Sequence, residues 1–214
     1  MVINGETSDT KSINAEVPQG SILGPMLFLI YINDIVNNIF CNIKLFADDT
    51  SLYLVVDNEY EAAEQLNKDI ESIHQWSQKW LIKFNPDKTE MMTISKKNIT
   101  NSTIHPPVYM DNVIIKEVET HKHLGLTVSE DGNWNEHVKN IMIKVSSRLS
   151  VFRRVKLKLK RSHLQTIYIS FIRPLMEYSD IVWDNIADYL KQSLESLQLE
   201  ATRIVTGATK LTCC

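Results

Sequence analysis

The length of 214 residues allows one large domain or two small ones, and a composition that is 43% hydrophobic and 23% charged supports a packed core and excludes general disorder. The polar first residues hold no apolar signal segment, and the longest apolar run, residues 26–32, is too short to cross a bilayer. These features predict an intracellular protein, nuclear or cytoplasmic, with no membrane partner. Three cysteines, Cys41, Cys213 and Cys214, form neither a disulfide framework nor a zinc spacing.

The formal net charge of −3 divides unevenly along the chain. Residues 1–138 carry 10 Lys/Arg and 20 Asp/Glu, whereas residues 139–214 carry 13 Lys/Arg and 6 Asp/Glu. An acidic part attracts cations and a basic part attracts phosphates, so the split favours different partners for the two parts. The alternative is that the surfaces of the predicted helices simply differ in charge.

The first predicted elements are a loop, a helix and a hairpin. Pro18 and Gly20 punctuate the loop, and Pro25 suits the first turn of a helix. Residues 26–35 then have no polar face, which predicts a buried helix. Residues 43–56 alternate on both sides of Asp-Asp-Thr-Ser, a turn-forming sequence, which predicts a β-hairpin with the two aspartates at or near its tip.

The remaining elements change character near residue 131. Before this point helix and strand patterns mix, and after it only helical patterns occur. The predicted elements are a helix at 59–81, a strand at 89–95, a polar loop at 96–107, a hairpin at 108–115, a strand and turn at 121–134, and helices at 135–156, 162–172 and 188–206, with Pro174 between the last two.

Asp48 and Asp49 place two like charges inside an otherwise apolar run. Neighbouring carboxylates in a partly dry site repel each other, and a divalent cation removes that penalty. Mg²⁺ takes oxygen ligands, typically one or two carboxylates with phosphate oxygens and water. The hairpin therefore favours a metal site, with a solvated turn as the alternative.

Several stretches, in order, resemble the reverse transcriptases of non-LTR (LINE-type) retrotransposons of the jockey or chicken-repeat kind. The most specific are "EVPQGSILGPMLFLIYINDI" at 16–35 and "FADDT" at 46–50. "KFNPDKTE" at 83–90 and "HLGLTV" at 123–128 follow, and "TIYISFIRPLMEYSDIVWDN" and "LESLQLEATRIVTGA" resemble the later helices. The resemblance covers nearly the whole chain.

The resemblance implies an α+β fold, with a polymerase palm of antiparallel sheet backed by helices in residues 1–131 and an all-helical thumb or connector in residues 132–214. It also implies an RNA-directed DNA polymerase that adds deoxynucleotides to a primer by two-metal phosphoryl transfer with Mg²⁺ or Mn²⁺. The implied partners are an RNA template, a DNA primer and a deoxynucleoside triphosphate.

The resemblance also assigns roles at the hairpin tip and in a turn after the first long helix. Asp48 would be the principal metal ligand and Asp49 a secondary one, since neighbouring strand residues point to opposite faces. Ala47 would leave room for the primer end, and Phe46 would anchor the strand by apolar packing. Lys88 matches a catalytic lysine near the leaving phosphates, with a solvated turn lysine as the alternative.

Three further segments match nucleic-acid contacts of the family. The loop of Pro18, Gln19, Gly20 and Ser21 would lie against template and nucleotide, and Leu124 and Gly125 match the primer grip, with an ordinary strand end as the alternative. The basic run in the predicted thumb would contact the phosphate backbone, although such a run can also be a solvated helix end. Its cations are Arg153, Arg154, Lys156, Lys158, Lys160 and Arg161.

One block of the family pattern, a strand written F-x-D-x-x-x-A-F, is not found. Residues 1–16 contain one aspartate, Asp9, without a strand pattern, and "MVING" instead resembles a hairpin that precedes the Pro-Gln-Gly loop. We therefore expect an N-terminally truncated polymerase that lacks the fingers and is inactive alone. A non-catalytic nucleic-acid-binding remnant and an unstable fragment are the alternatives. His121 and His123, without a carboxylate at metal spacing, and the four tryptophans are expected to be packing or surface residues.

Overall fold

The computed structural model describes residues 2–3, 6–7, 20–95 and 105–208. The chain forms two compact units, one of Met1–Pro86 with His105–Ile115 and one of Asp87–Ile104 with Lys116–Cys214. Both contain helices and strands, which confirms a mixed helix and strand fold. The packing units do not divide at residue 131, and the assignment of palm and thumb stays a prediction.

The strands are short and pair in twos. They are β1 (Val2–Ile3), β2 (Glu6–Thr7), β3 (Asn42–Phe46), β4 (Asp49–Tyr53), β5 (Glu90–Met91), β6 (Tyr109–Met110), β7 (Val113–Ile114), β8 (Lys116–Glu117), β9 (Thr120–His123) and β10 (Leu126–Ser129). Four pairs join neighbours in sequence as antiparallel hairpins, and β5 pairs with β8 in parallel. The β1–β2 pair agrees with the resemblance of "MVING" to a hairpin strand.

The helices carry most of the packing. They are α1 (Leu23–Ile32), α2 (Glu59–Trp80), α3 (Asn135–Val155), α4 (Arg161–Ile167), α5 (Arg173–Glu177), α6 (Asp180–Trp183) and α7 (Asp188–Thr206). The predictions for α2, α3 and α7 are confirmed within one residue at each end. In the ranges described above, no helix combines the length and apolarity needed to cross a membrane.

The core of the first unit lies between α2 and the β3–β4 hairpin. Ile32, Ile35 and Ile73 are buried, and the inward side chains of the hairpin pack against them. Asn58 caps the start of α2 by accepting a hydrogen bond from the backbone N–H of Tyr60. The hairpin therefore rests on a long, well-capped helix.

Helix α1 is the main departure from expectation in this unit. Residues 23–32 form the predicted helix, but the expectation that the helix is buried is wrong, since only Ile32 is buried. Phe28 is half-buried, and the exposure of Leu23, Met26, Leu27, Leu29 and Ile30 runs from 50% at Leu27 to 67% at Ile30. A helix that is apolar on all sides needs cover on all sides, and within the described residues α1 packs on the core through Phe28 and Ile32.

The second unit is built around α3 and α7. Buried apolar residues of these helices meet Leu164 of α4, Ile172 and Trp183, and Leu126 of β10 packs against them. The segment predicted as one helix at 162–172 is α4 followed by a π turn at Tyr168–Ile172. The helix then continues past the expected break, because Pro174 lies at the start of α5, where a missing N–H costs little.

Candidate functional site

The tip of the β3–β4 hairpin carries the two aspartates, which confirms the predicted hairpin. Phe46 pairs with Asp49 across the hairpin, so Ala47 and Asp48 form a two-residue turn. Ala47 has φ of 52°, the left-handed conformation that such tight turns require. Asp48 therefore lies in the turn itself and Asp49 opens β4, and both are exposed.

The hairpin has one packed face and one open face. Ile43, Leu45 and Leu52 point towards α2 and its neighbours. Phe46 lies on the opposite face with Asp49 and is 62% exposed. The expectation that Phe46 anchors the strand by apolar packing is therefore wrong, because the period-two alternation that turns Leu45 towards the core turns Phe46 outwards.

The two carboxylates suit one hard cation but do not complete a cage. Asp48 and Asp49 offer adjacent oxygen donors at an exposed tip, which is the kind of partial set that Mg²⁺ accepts when water and phosphate supply the rest. Among the residues that the structure describes, no group of three His, Cys, Asp or Glu side chains could hold a metal ion. The tip can therefore contribute ligands to a metal site, and the described residues add no further carboxylate to it.

Of the predicted loop before α1, the structure describes two residues. Gly20 has φ of 88°, and a Cβ added to it would meet no atom within 4 Å, so a glycine there serves the backbone conformation. Ser21 is half-buried, and Pro18 and Gln19 lie outside the described residues, as does Asp9. Lys88 belongs to the second unit and is exposed at the end of the single turn Pro86–Lys88.

The turn predicted as a primer grip is held by a tyrosine that the sequence analysis did not single out. Leu124 and Gly125 join β9 to β10 with φ of 46° and 86°. The Tyr178 hydroxyl donates to the Leu124 carbonyl at 2.7 Å, and a Cβ on Gly125 would lie 3.1 Å from Tyr178 Cε1. Trp183 Nε1 donates to the Tyr178 carbonyl at 3.0 Å. Gly125 is therefore required both by its backbone and by the ring against it.

The histidines beside this turn have a carboxylate neighbour that spacing did not reveal. His121 Nδ1 lies 2.7 Å from Glu90 Oε2, across the strands of the second unit. His121 and His123 lie two residues apart on β9, and their ring centroids are 6.2 Å apart. The sequence spacing of this His-x-His could not show Glu90, which approaches His121 through tertiary packing.

The basic run occupies the exposed corner between α3 and α4. Arg153 is engaged, since its guanidinium donates to Glu200 of α7. Within the described part of the chain, the other five cations of this corner have no ion pair, and all five are exposed. They are Arg154, Lys156, Lys158, Lys160 and Arg161.

Buried His137 connects β10 to α3. Its Nδ1 accepts the backbone N–H of Thr127 at 3.1 Å, and its ring lies between Trp134 and Trp183. Burial, with a smaller contribution from the charge of Lys144, lowers the pKa of the His137 imidazole. His137 therefore acts as a neutral acceptor in the core of the second unit.

Comparison with known proteins agrees with the motifs. The family "Reverse transcriptase (RNA-dependent DNA polymerase)" matches residues 1–128. The chain is 28% identical to the "RNA-directed DNA polymerase from mobile element jockey" of Drosophila melanogaster, over 96% of this chain and 23% of the relative. It is 26% identical to the "Probable RNA-directed DNA polymerase from transposon X-element" of the same fly, over 94% and 22%.

A third relative comes from a wasp. The "Retrovirus-related Pol polyprotein from type-1 retrotransposable element R1 2" of Nasonia vitripennis is 25% identical, over 80% of this chain and 44% of the relative. The chain thus spans less than half the length of each of these relatives, and no solved structure matches it. With the family match covering more than half of the residues, the chain belongs to the reverse transcriptase family, as its motifs predict.

Proposed function

We propose that this chain is the palm-and-thumb portion of an RNA-directed DNA polymerase of a non-LTR retrotransposon. The observation that carries the proposal is the exposed Asp48–Asp49 tip on a hairpin within the segment that matches the family. The palm would comprise residues 1–131 and the thumb residues 132–214. The substrates would be an RNA template, a DNA primer and a deoxynucleoside triphosphate.

Asp48 would be the main metal ligand of the tip and Asp49 the second. A bound Mg²⁺ or Mn²⁺ would offset the charge of the triphosphate and of the primer hydroxyl that attacks it. The chain's own contribution is the two-residue turn, which places both carboxylates at the end of a strand pair packed on the core of the first unit. Phe46 lies on the open face beside Asp49, where its exposed ring could contact a base or sugar.

Other residues would hold the nucleic acid and the leaving group. The loop of Pro18, Gln19, Gly20 and Ser21 would lie against template and nucleotide. Leu124 and Gly125 would meet the primer, with Tyr178 keeping their turn in place. Lys88 is exposed and would offer a proton or positive charge to the leaving phosphates.

A chimera tests this function directly. In it, the chain replaces the matching segment of the jockey polymerase, and incorporation is measured on a poly(rA)/oligo(dT) substrate with Mg²⁺. We expect incorporation that Asp48→Ala abolishes and that Asp57→Ala, an exposed aspartate just beyond β4, leaves unchanged. Loss of incorporation in both variants, or in neither, would contradict the proposal.

In isolation the chain would have little or no polymerase activity. Two metal ions need bridging carboxylates from separate strands, and the described residues bring none to the tip besides Asp48 and Asp49. Groups that act as a unit fail together when one is missing. Robust primer extension by the isolated chain, abolished by Asp48→Ala, would overturn this expectation.

The second candidate is a non-catalytic nucleic-acid-binding protein that uses the basic corner. The exposed, unpaired cations between α3 and α4 favour it, since phosphate contacts need charge and access and no base recognition. Salt-sensitive binding that survives Asp48→Ala, together with an inactive chimera, would favour this function over the polymerase.

A further inference from the structure

Asp69 of α2 is a buried carboxylate that accepts backbone hydrogen bonds at the start of the β3–β4 hairpin. Its side chain is 2% exposed. Its oxygens accept the backbone N–H of Phe40 at 3.1 and 3.2 Å and that of Cys41 at 2.6 Å. Gln65 Nε2, one turn earlier on α2, donates to Oδ1 at 3.1 Å. A buried carboxylate with this many donors is a satisfied and directional contact.

The carboxylate is charged, which makes these contacts strong. Burial by itself would raise the pKa of Asp69, but the hydrogen bonds from Cys41, Phe40 and Gln65 outweigh it and lower the pKa. Burial and the neighbouring Asp69 raise the pKa of the Cys41 thiol to about 12, so the thiol stays protonated and serves as one more donor. Asp69 therefore holds residues 40 and 41 as an anion.

The position of this contact matters for the tip. Cys41 directly precedes β3, and β3 ends at the turn that carries Asp48. At about 3.3 Å per residue, the contact lies roughly 17 Å from the end of β3. Between the two points, Ile43 and Leu45 pack against the apolar cluster that includes Ile73 of α2, and such contacts select a face of the strand but are not directional.

We propose that Asp69 is a positioning residue for the polymerase site, because it fixes β3 lengthwise on α2 and thereby sets where the Asp48–Asp49 tip stands. The inference rests on the proposed function of that tip. A two-stranded ribbon is only marginally stable in water, so its position depends on what it is docked to. Asp69 supplies the directional part of that docking.

Asp69→Asn is the sharpest perturbation. It keeps the shape of the side chain but replaces one acceptor oxygen by an NH₂ group, which cannot accept a backbone N–H. Asp34→Asn is the matched control, since Asp34 accepts the indole N–H of Trp76 of α2 at 2.9 Å, and no side-chain hydrogen bond between Asp34 and residues 40–42 is found among the described residues. Both changes remove one charge from the first unit.

The experiment is native-state hydrogen exchange by NMR on the full chain, with Mn²⁺-induced line broadening in the same samples. We expect Asp69→Asn to speed exchange of the cross-strand β3–β4 amides about tenfold or more relative to the amides of Ile70 and Ile73. Mn²⁺ broadening at residues 47–50 should persist in this variant, because Asp48 and Asp49 share one turn and move together. Asp34→Asn should leave both the exchange ratio and the broadening unchanged.

Equal acceleration of hairpin and α2 amides in Asp69→Asn would overturn the proposal, because Asp69 would then only stabilise the unit as a whole. Should Asp69→Asn fail to fold, Gln65→Ala removes one donor from Oδ1 and should speed the hairpin amides selectively by about threefold. No selectivity there would equally overturn it. Absence of Mn²⁺ broadening at the tip of the unmodified chain would contradict the proposed function, while the exchange ratios would still decide the role of Asp69.

Discussion

Binding of duplex DNA at the basic corner should depend steeply on salt, with a slope that the structure sets. Each phosphate neutralised contributes about −0.9 to the slope of log affinity against log salt. Five unpaired cations give about −4.5, which predicts a loss of about 500-fold between about 50 and 200 mM salt. Replacing Lys156, Lys158 and Lys160 by glutamine should reduce the slope to about −1.8 and the loss to about 12-fold.

Breaking the ion pair of Arg153 should change the salt slope of DNA binding in the opposite direction. Glu200→Gln releases Arg153, so the slope should steepen to about −5.4. Fluorescence anisotropy of a labelled duplex, titrated at several salt concentrations, measures both changes, and Asp48→Ala serves as a control that should not alter the slope. A slope that is the same in the triple glutamine variant and in the unmodified chain would refute the assignment of these cations to phosphate.

Three other predictions concern stability and solubility. Gly125→Ala should cost roughly 1–2 kcal/mol more in urea denaturation than Gly20→Ala, because both have positive φ but only Gly125 faces a ring at 3.1 Å; equal losses would contradict this. The lowered pKa of His137 means that the unfolded chain binds its proton first as pH falls below 6.5, so the melting temperature should drop from pH 7 to pH 5. His137→Gln should flatten that dependence in circular dichroism melts, and an unchanged profile would count against it. Met26→Glu with Ile30→Glu should reduce light scattering and leave the helical signal intact, since both side chains are exposed; unfolding would show instead that they are packed.

Local sequence patterns predicted much of the secondary structure of this fold. Apolar residues recur every three or four positions in α2, and they alternate around Asp48. Both patterns depend only on residues close in sequence, and the helix and the hairpin that they predicted are confirmed. The same patterns failed where another part of the chain decides the outcome. The apolar sequence of α1 indicates that the helix needs other residues packed around it. It does not show whether those residues are present. The prediction that Phe46 packs in the core was wrong, although the alternation of side chains along β3 already indicated that Phe46 faces away from Leu45.

The site shows a similar division. The adjacent aspartates and the positive-φ glycine of the β9–β10 turn were identifiable from short motifs. Glu90 contacts His121, and the Tyr178 hydroxyl donates a hydrogen bond to the Leu124 carbonyl. Both contacts join residues far apart in sequence, so no motif spacing reveals them. The sequence does hold one indication of the role of Asp69. This residue lies on the apolar face of α2 between Leu66 and Ile73, where a charged side chain needs a hydrogen-bonding partner.

The π turn at Tyr168–Ile172 affects where a residue can be deleted from this chain during evolution. A π turn takes up one residue more than an α-helical turn, and here Arg148 donates to the carbonyl of Phe171 within it. Deleting one residue within this turn would regularise the helix and keep both flanks in phase. The same deletion in the middle of α3 would rotate everything beyond it by about 100° and pull Leu149 or Phe152 from the core. Natural variants of differing length should therefore have their gaps at the π turn and not in α3.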